Sequence, residues 1–329
     1  MRNIRSNVAV FVVLATLFLQ FTASSQVPQV PEINYEPVPG FLDLPAGMNF
    51  GEVSGIAVNS KSHIYVFHRG DHSLLEFDPD GKFVRALGDG LFENPHGLRI
   101  DEDDNIWTTD LATHLVLKLS PEGKVLMVLG KRGMAGEWLG TALEKLGYGG
   151  WTAPSNMPLF DQPSDIAFGA DGSIFISDGY GNSRVMKFDK EGKFLTSWGV
   201  KGDKPGQFNL PHGIVVDSKG RVYVADRENK RIQIFDSKGG HLATWDQVGY
   251  PYGLALSPDQ KLFVTDARAE RVLVLDLEGK ILGFLGKPGK SVGEFGWAHG
   301  IAVGPKNELY VTEVLNWRVQ KFVPRKSGN

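Results

Sequence analysis

The 329-residue sequence contains no cysteine. Without thiols the chain cannot form disulfides, a thiolate zinc site or a cysteine nucleophile. It also has little net charge, with 35 basic and 38 acidic residues and a formal net charge of -3. We therefore expect neither nucleic acid nor an anionic membrane surface as a partner. Hydrophobic residues still make up 42% of the chain, which is enough for a sizeable core.

The first residues predict an export signal. Arg2 and Arg5 precede an apolar run over residues 8–21, and small residues follow at Ala23-Ser24-Ser25. The run is shorter than the ~20 residues of a membrane-spanning helix, so we expect cleavage of residues 1–25 rather than an uncleaved anchor. The mature protein would then be periplasmic or extracellular and free of the membrane. Residues 26–50 are predicted to be a linker and a strand, and residues 325–329 a tail.

One short opening phrase recurs six times and organises the rest of the chain. Its clearest copies are Asn94-Pro95-His96-Gly97-Leu98, Leu210-Pro211-His212-Gly213-Ile214 and Gly296-Trp297-Ala298-His299-Gly300-Ile301. Each copy begins an apolar strand, and turns separate it from three further strands. A period near 40 residues with four strands per unit is typical of a β-propeller.

The repeat therefore predicts an all-β fold, a six-bladed propeller over residues 51–324. The gap between the second and third copies indicates an insertion at about residues 131–161, with a short helix around 139–146. The last unit lacks an outer strand. We expect the segment 35–44 to supply it, because pairing across the ends closes the ring and removes an exposed sheet edge.

Acidic residues recur at the ends of the second strands, and arginines recur shortly after them. The positions are Asp110, Asp178, Asp226, Asp266 and Glu313, with Arg184, Arg231, Arg271 and Arg318. Residues present in nearly every unit cannot mark a unique site. We interpret them as structural, bonding turn backbone and pairing between blades.

Histidine occupies one position of the opening phrase in every second unit. His96, His212 and His299 alternate there with Ser54, Ser164 and Tyr252. The first strand of a propeller blade lines the central channel, so the three histidines are expected to form a triangle at one mouth. One His-Gly at a strand start is more often a turn histidine. Three at matched positions favour a catalytic zinc site with a fourth position open for water or substrate.

The other five histidines, His63, His68, His72, His114 and His241, fall off this pattern. We interpret them as surface or turn residues, with His68 and His72 as weak candidates for supporting a metal ligand.

Arg69 and Tyr180 lie in turns that break the repeat at the same face. Arg69 could simply pair with Asp71, and Tyr180 could be a packed, half-exposed ring. Beside a metal ion, however, a guanidinium can clamp a carboxylate or lower the pKa of a phenol. A phenolate can then act as a general base.

These motifs resemble those of NHL-repeat propellers and, among them, of peptidyl-α-hydroxyglycine α-amidating lyases (peptidylamidoglycolate lyases). The segments that carry the resemblance are Phe67-His68-Arg69-Gly70-Asp71-His72, Asn94-Pro95-His96-Gly97-Leu98, Ser177-Asp178-Gly179-Tyr180, Asn182-Ser183-Arg184, Gly206-Gln207-Phe208 and Val224-Ala225-Asp226-Arg227-Glu228-Asn229. The resemblance implies zinc on His96, His212 and His299, with Arg69 and Tyr180 as the catalytic pair. The implied reaction splits a C-terminal α-hydroxyglycine into a peptide amide and glyoxylate.

The resemblance assigns roles as well. Tyr180 as a phenolate would take the hydroxyl proton, and Arg69 would hold the substrate carboxylate or stabilise the phenolate. Three positions depart from the family. Trp297 replaces a methionine, Gly181 replaces a cysteine of the animal enzymes, and Gly300 replaces the aspartate that binds a structural calcium, which puts calcium in doubt. The natural substrate stays open and could be another small α-hydroxy amide or hemiaminal.

Two other functions compete with a secreted zinc lyase. A non-catalytic NHL propeller would bind a protein or glycan partner on one face, with Arg69 and Tyr180 as contact residues. A calcium-dependent lactonase-type propeller would need Asp, Asn and Glu facing the channel, whereas this chain has His, Ser and Tyr there. For the lyase we expect a small-molecule or peptide substrate and a monomer.

Overall fold

The computed structural model describes residues 30–135 and 158–325. Within these residues the chain forms six four-stranded antiparallel sheets, which confirms the predicted all-β, six-bladed propeller. Blade one consists of β2 (Val53–Val58), β3 (Ile64–His68), β4 (Leu74–Phe77) and β5 (Phe83–Leu87). Blade two consists of β6 (Pro95–Ile100), β7 (Ile106–Asp110), β8 (Leu115–Leu119) and β9 (Val125–Gly130). Blade three consists of β10 (Pro163–Phe168), β11 (Ile174–Asp178), β12 (Arg184–Phe188) and β13 (Phe194–Trp198).

The second half of the ring repeats the same plan. Blade four consists of β14 (Pro211–Val216), β15 (Val222–Asp226), β16 (Arg231–Phe235) and β17 (His241–Trp245), with a 3₁₀ turn at Arg227–Asn229. Blade five consists of β18 (Pro251–Leu256), β19 (Leu262–Asp266), β20 (Arg271–Leu275) and β21 (Ile281–Leu285). A short parallel pair, β22 (Lys287–Pro288) and β23 (Glu294–Phe295), leads into blade six.

Blade six closes the ring with a strand from the other end of the described chain. Its own strands are β24 (Ala298–Val303), β25 (Leu309–Glu313) and β26 (Arg318–Pro324). The outer strand is β1 (Tyr35–Val38), which pairs antiparallel with β26 so that Val38 lies opposite Lys321. This pairing confirms the expected closure of the ring. It gives blade six four strands, the same number as in each of the other blades.

Several predicted segments lie outside the described residues. They are the export signal at 1–25, most of the insertion with its helix at 139–146, and all but the first residue of the tail. These remain predictions. Among the described residues, no helix has the length and apolar character needed to cross a membrane.

Neighbouring blades are held together by apolar side chains of their inner strands. The second strand of each blade is buried along its whole length, as in β7 and β15, because another blade covers each of its faces. Outer strands such as β17 are instead mostly exposed to solvent. One core cluster joins Tyr223 of blade four to Val264 of blade five. Each such buried side chain stabilises the fold by about 1.5–3 kcal/mol.

The repeated acid–arginine pairs lie within blades, so the prediction that they pair between blades is wrong. Antiparallel register places Asp226 directly opposite Arg231 on the next strand of the same blade, with Arg231 Nε 2.7 Å from Asp226 Oδ2. The bonding to turn backbone is present. Asp226 accepts the N–H of Asn209 at 2.7 Å, and Arg231 donates to carbonyls of the loop entering blade four. The pairs thus fasten each blade to the loop that precedes it.

Candidate metal centre

The three alternate histidines converge on the channel axis. His96, His212 and His299 are buried, and one ring nitrogen of each lies within 4.8 Å of the others. Their ring centroids are 4.7, 5.0 and 4.9 Å apart, so the rings form a nearly equilateral triangle. A shift in strand register between Pro95 and Leu98, repeated in blades four and six, places each histidine in a bulge at the channel mouth.

Backbone carbonyls fix the orientation of each imidazole. The carbonyl comes from the same repeat position of the next blade: His96 Nδ1 contacts Ser164 O at 2.6 Å, His212 Nδ1 contacts Tyr252 O at 3.1 Å and His299 Nδ1 contacts Ser54 O at 2.8 Å. Because a carbonyl only accepts hydrogen bonds, Nδ1 must carry the proton in all three rings. Each Nε2 is therefore left with a lone pair.

Burial keeps the three rings neutral. It lowers the pKa of His299 to about 3 and lowers the pKa values of His96 and His212 well below their usual range. The neighbouring histidines lower the pKa of His96 and of His212 further. Three neutral nitrogen donors, each held through its other nitrogen by a fixed acceptor, are the donor set that zinc and similar divalent ions take in proteins. The three histidines can therefore hold a divalent metal ion.

Tyr180 lies directly against this triangle. Its hydroxyl oxygen is 3.1 Å from His96 Nε2 and 3.1 Å from His212 Nε2. Arg227 donates from Nη1 to the same oxygen at 3.1 Å. The Nε2 lone pairs of His96 and His212 thus face a single hydroxyl proton, that of Tyr180. A cation among the nitrogens would satisfy them all, which supports the assignment as a metal site.

Burial has the largest effect on the pKa of Tyr180. The guanidinium groups of Arg227 and Arg69 both lower the pKa of this phenol, in the direction that the sequence predicts for a neighbouring guanidinium. Burial raises the pKa of Tyr180, and Arg227 opposes the rise without reversing it. The protein residues by themselves therefore favour the protonated phenol.

Arg69 lies at the site without touching Tyr180. Its Nε donates to the carbonyl of Pro95, the residue before His96, at 3.3 Å. Its positive charge helps to lower the pKa values of His96 and His299. In the described part of the chain Arg69 has no carboxylate at ion-pair distance, Asp71 included. Its guanidinium is thus available to a ligand.

Arg227 is the residue that sequence reasoning missed. Its guanidinium lies 5.2 Å from the ring centroid of Tyr180 and 4.7 Å from that of Tyr252. A signal was present in the repeat. Arg69 and Arg227 both directly follow the last residue of a second strand, where the other four blades have Leu111, Gly179, Ala267 and Val314. The two arginines belong to blades one and four, which face each other across the channel.

His68 is not a surface or turn residue, contrary to the prediction. It is fully buried, and its Nδ1 accepts the N–H groups of Gly51 and Gly70 at 3.1 Å each. Burial lowers its pKa to about 4. The remaining histidines are half-buried or exposed and pair with polar neighbours: His63 with Glu76, His72 with Asp89, His114 with Asp161 and His241 with Thr244. His68 thus supports the backbone next to Arg69.

Comparison with known proteins places this chain among repeat propellers. The NHL repeat model matches residues 160–188 and 208–235. The mouse peptidyl-glycine alpha-amidating monooxygenase is 37% identical over 60% of this chain and 21% of its own length. A probable peptidyl-alpha-hydroxyglycine alpha-amidating lyase of Caenorhabditis elegans is 32% identical over 57% of this chain and 56% of its own. The chain thus spans about a fifth of one relative and about half of the other.

Solved structures show the same fold at low sequence identity. A gluconolactonase from Xanthomonas campestris superposes with a TM-score of 0.62 at 14% identity, covering 84% of this chain and 87% of its own. A streptogramin B lyase superposes with a TM-score of 0.59 at 14% identity, covering 88% and 97%. At such identities the likeness concerns the fold alone. The chain is thus a six-bladed propeller with NHL repeats that resembles amidating lyases in sequence.

Proposed function

We propose that this six-bladed propeller with NHL repeats is a zinc-dependent carbon–nitrogen lyase. Its substrate would be an α-hydroxyglycine-type amide, and its products the corresponding amide and glyoxylate. One observation carries the proposal: three backbone-oriented imidazoles meet with their Nε2 atoms inward, and the Tyr180 hydroxyl lies 3.1 Å from two of them. The name of the Caenorhabditis elegans relative, an amidating lyase, points to the same reaction class.

His96, His212 and His299 would hold the ion. A divalent ion held there would supply a Lewis acid for the substrate hydroxyl and a positive charge that favours the phenolate of Tyr180. Zinc is the preferred identity because all three donors are imidazole nitrogens, whereas calcium and magnesium take oxygen ligands.

Tyr180 would move the proton. As a phenolate it accepts the proton of the substrate hydroxyl, and the oxygen becomes the aldehyde oxygen of glyoxylate as the carbon–nitrogen bond breaks. The electron pair of that bond goes to the amide nitrogen, and the same proton returns to it from Tyr180. The reaction is balanced without an oxidant or an added water. The Tyr180 hydroxyl lies at the reacting centre, so it can first accept this proton and then donate it.

The two arginines would divide two tasks. Arg227 already donates to the Tyr180 oxygen, so it would stabilise the phenolate. Arg69 has no carboxylate partner among the described residues and lies on the opposite side of the channel. We therefore assign it to the carboxylate of the substrate, an alternative that the sequence left open.

A metal-removal experiment tests the proposal. The purified protein is stripped of metal, reconstituted with zinc and incubated with α-hydroxyhippurate, and glyoxylate and benzamide are measured separately. We expect about one zinc per chain and equal amounts of the two products. Absence of both zinc binding and glyoxylate release would instead favour a non-catalytic propeller.

Arg69 provides a second arm. Arg69→Gln should raise KM far more than it lowers kcat, because it removes a substrate contact. Arg132→Gln is the matched control. Arg132 also carries a guanidinium, but it pairs with Glu93 on an exposed surface. Equal KM values for Arg69→Gln and wild type would remove Arg69 from the substrate site.

We also propose that the protein is exported with removal of residues 1–25. The support is the sequence pattern at Arg2, Arg5 and residues 8–25 alone. N-terminal sequencing of the protein from its native cell checks it. A mature chain that begins near Gln26 agrees with the proposal, and retention of Arg2 contradicts it.

A further inference from the structure

Two departures from the repeat meet inside the central channel. At the residue after the repeat position that holds histidine, serine or tyrosine, five blades have glycine and blade three has Asp165. Two residues further along, five blades have alanine or valine and blade two has Arg99. Both side chains are largely shielded from solvent, and they form an ion pair with each other. Each departure therefore compensates for the other.

The Arg99 guanidinium spans the channel. Its Nε donates to Asp165 Oδ1 at 3.0 Å and to the carbonyl of Ile166 at 3.2 Å, both in blade three. Its Nη2 donates to the carbonyl of Leu254 at 3.0 Å in blade five, on the far side of the ring from blade two. Asp165 Oδ2 also accepts the N–H of Ile214 in blade four at 3.1 Å. One carboxylate and two carbonyl oxygens thus surround a single positive charge.

These oxygens are the kind that a hard divalent cation takes. Calcium prefers carboxylate and carbonyl oxygens, and the family resemblance implies a calcium bound by an aspartate at position 300. Gly300 offers no carboxylate, and a Cβ there would lie 2.6 Å from the carbonyl oxygen of Ser54. Gly300, Asp165 and Arg99 line one cavity together with the three histidines. The carboxylate of that cavity is bound by Arg99, so the residues present do not fit a calcium ion.

We propose that the Arg99 guanidinium fills a cation site of the channel from within the chain, so that this propeller is stable without channel calcium. The pair also positions the metal ligand His96. Asp165 follows Ser164, whose carbonyl accepts from His96 Nδ1, and Arg99 lies on the same strand as His96. The inference holds whatever reaction the histidines catalyse.

Thermal unfolding with and without calcium tests the proposal. The full chain is prepared in calcium-free buffer, and its melting temperature is compared in millimolar CaCl2 and MgCl2. Wild type should bind no stoichiometric calcium and respond equally to both salts. Arg99→Ala leaves a buried carboxylate unpaired, so its Tm should fall by roughly 5–10 °C. Calcium, but not magnesium, should recover part of the loss, because the vacated oxygens can hold it.

Three further variants separate the pair from general damage. The double variant Arg99→Ala/Asp165→Asn should lose the calcium response. Arg99→Lys keeps a cation, so it should show a smaller fall in Tm and no calcium response; it also keeps the test open if Arg99→Ala does not fold. Arg221→Ala is the matched control, because Arg221 pairs with the buried Asp217 outside the channel. It should lose stability and gain no calcium response.

Several results would overturn the proposal. One is a wild-type protein that binds about one calcium per chain or gains Tm specifically with calcium. Another is a folded Arg99→Ala with the wild-type Tm, or one that melts early and ignores calcium. A calcium response in Arg99→Lys or Arg221→Ala would contradict it as well. None of these results depends on zinc content or glyoxylate release, so the proposed lyase function stands or falls separately.

Discussion

Even-numbered and odd-numbered blades differ at one repeat position. The even blades supply the candidate metal ligands there, and the odd blades supply the groups that orient those ligands. Blades two, four and six place a histidine side chain there, with Nε2 turned to the channel axis. Blades one, three and five contribute the carbonyl of the residue at that position, which accepts from Nδ1 of the preceding blade's histidine. The even blades therefore supply side chains, while the odd blades supply backbone that any residue would provide.

The serine side chains of blades one and three have a different task. The Ser164 hydroxyl lies within hydrogen-bonding distance of the carbonyls of Pro211 and His212 in the next blade, and the Ser54 hydroxyl reaches the carbonyl of Pro95. Small hydroxyls at these places join neighbouring inner strands. Both hydroxyls bond to backbone carbonyls, so their loss should affect stability more than metal binding.

The largest effect is expected from removing an even-blade imidazole. His212→Ala should weaken zinc binding by more than about 100-fold, because it deletes a direct ligand rather than a supporting group. Glyoxylate release should fall to background. Zinc titration followed by the glyoxylate assay measures both. His241→Ala, an exposed histidine of the same blade, should match wild type. Tight zinc binding by His212→Ala would contradict the claim that the even-blade imidazoles bind the metal.

The second effect concerns proton transfer next to the even-blade rings. Tyr180→Phe keeps the ring but removes the hydroxyl, so kcat should fall on the order of 10²–10⁴-fold while zinc content stays near one per chain. Steady-state kinetics with elemental analysis provides the measurement. Tyr250→Phe is the control, since Tyr250 stacks with Arg268 away from the histidines. A kcat for Tyr180→Phe close to that of wild type would remove Tyr180 from the reaction.

His68 extends the comparison to a buried histidine of an odd blade. Its Nδ1 accepts hydrogen bonds from two backbone N–H groups. Its pKa is about 4 in the folded protein, against about 6.5 when unfolded. The unfolded chain therefore binds the proton first as pH falls. Neutral His68 therefore contributes about 3 kcal/mol to the free energy of unfolding above pH ~6.5, and this contribution is lost as the pH falls towards ~4.

Urea unfolding of wild type and His68→Gln across this pH range checks the effect. Both proteins should be studied at the same zinc occupancy, because His299 and its partners also titrate. The free energy of unfolding of wild type should fall more steeply below pH ~6.5 than that of His68→Gln. Parallel curves for the two proteins would show that His68 is not the group responsible.

The smallest effect is expected from an odd-blade side chain. Ser164→Ala removes a hydroxyl but keeps the carbonyl that orients His96. Zinc affinity should stay within about threefold of wild type, while the free energy of unfolding falls by about 1–2 kcal/mol. Zinc titration and urea unfolding on the same preparation separate the two quantities. Loss of zinc binding comparable to that of His212→Ala would show that the side chain, not the backbone, holds His96.

Much of this fold could be predicted from the sequence, because a propeller is a local pattern repeated along the chain. The opening phrase fixed the number of blades, and the missing outer strand predicted that residues near Tyr35 close the ring. The convergence of His96, His212 and His299 also followed from repeat position. Matched positions in a closed ring share the same depth, so a periodic sequence predicts that the side chains meet.

Contacts made by residues that depart from the repeat could not be predicted from repeat position. Arg227 and Arg69 occupy one repeat position in opposite blades, yet only the turn geometry brings Arg227 to Tyr180. His68 was misjudged because its burial comes from the loop at Gly51, which precedes the first blade. Arg99 and Asp165 are visible as departures from the repeat. Their pairing depends on side-chain reach across the channel, which spacing does not encode.

X-ray absorption at the zinc edge of the zinc-loaded protein tests the central claim most directly. The claim is that three even-blade imidazoles, each oriented by an odd-blade carbonyl, bind one ion through Nε2. We predict a first shell with three imidazole nitrogens at about 2.0–2.1 Å and one oxygen from water or substrate, and a shell with fewer imidazoles in His212→Ala. A wild-type shell with two or fewer imidazoles, or one unchanged by His212→Ala, would contradict the account.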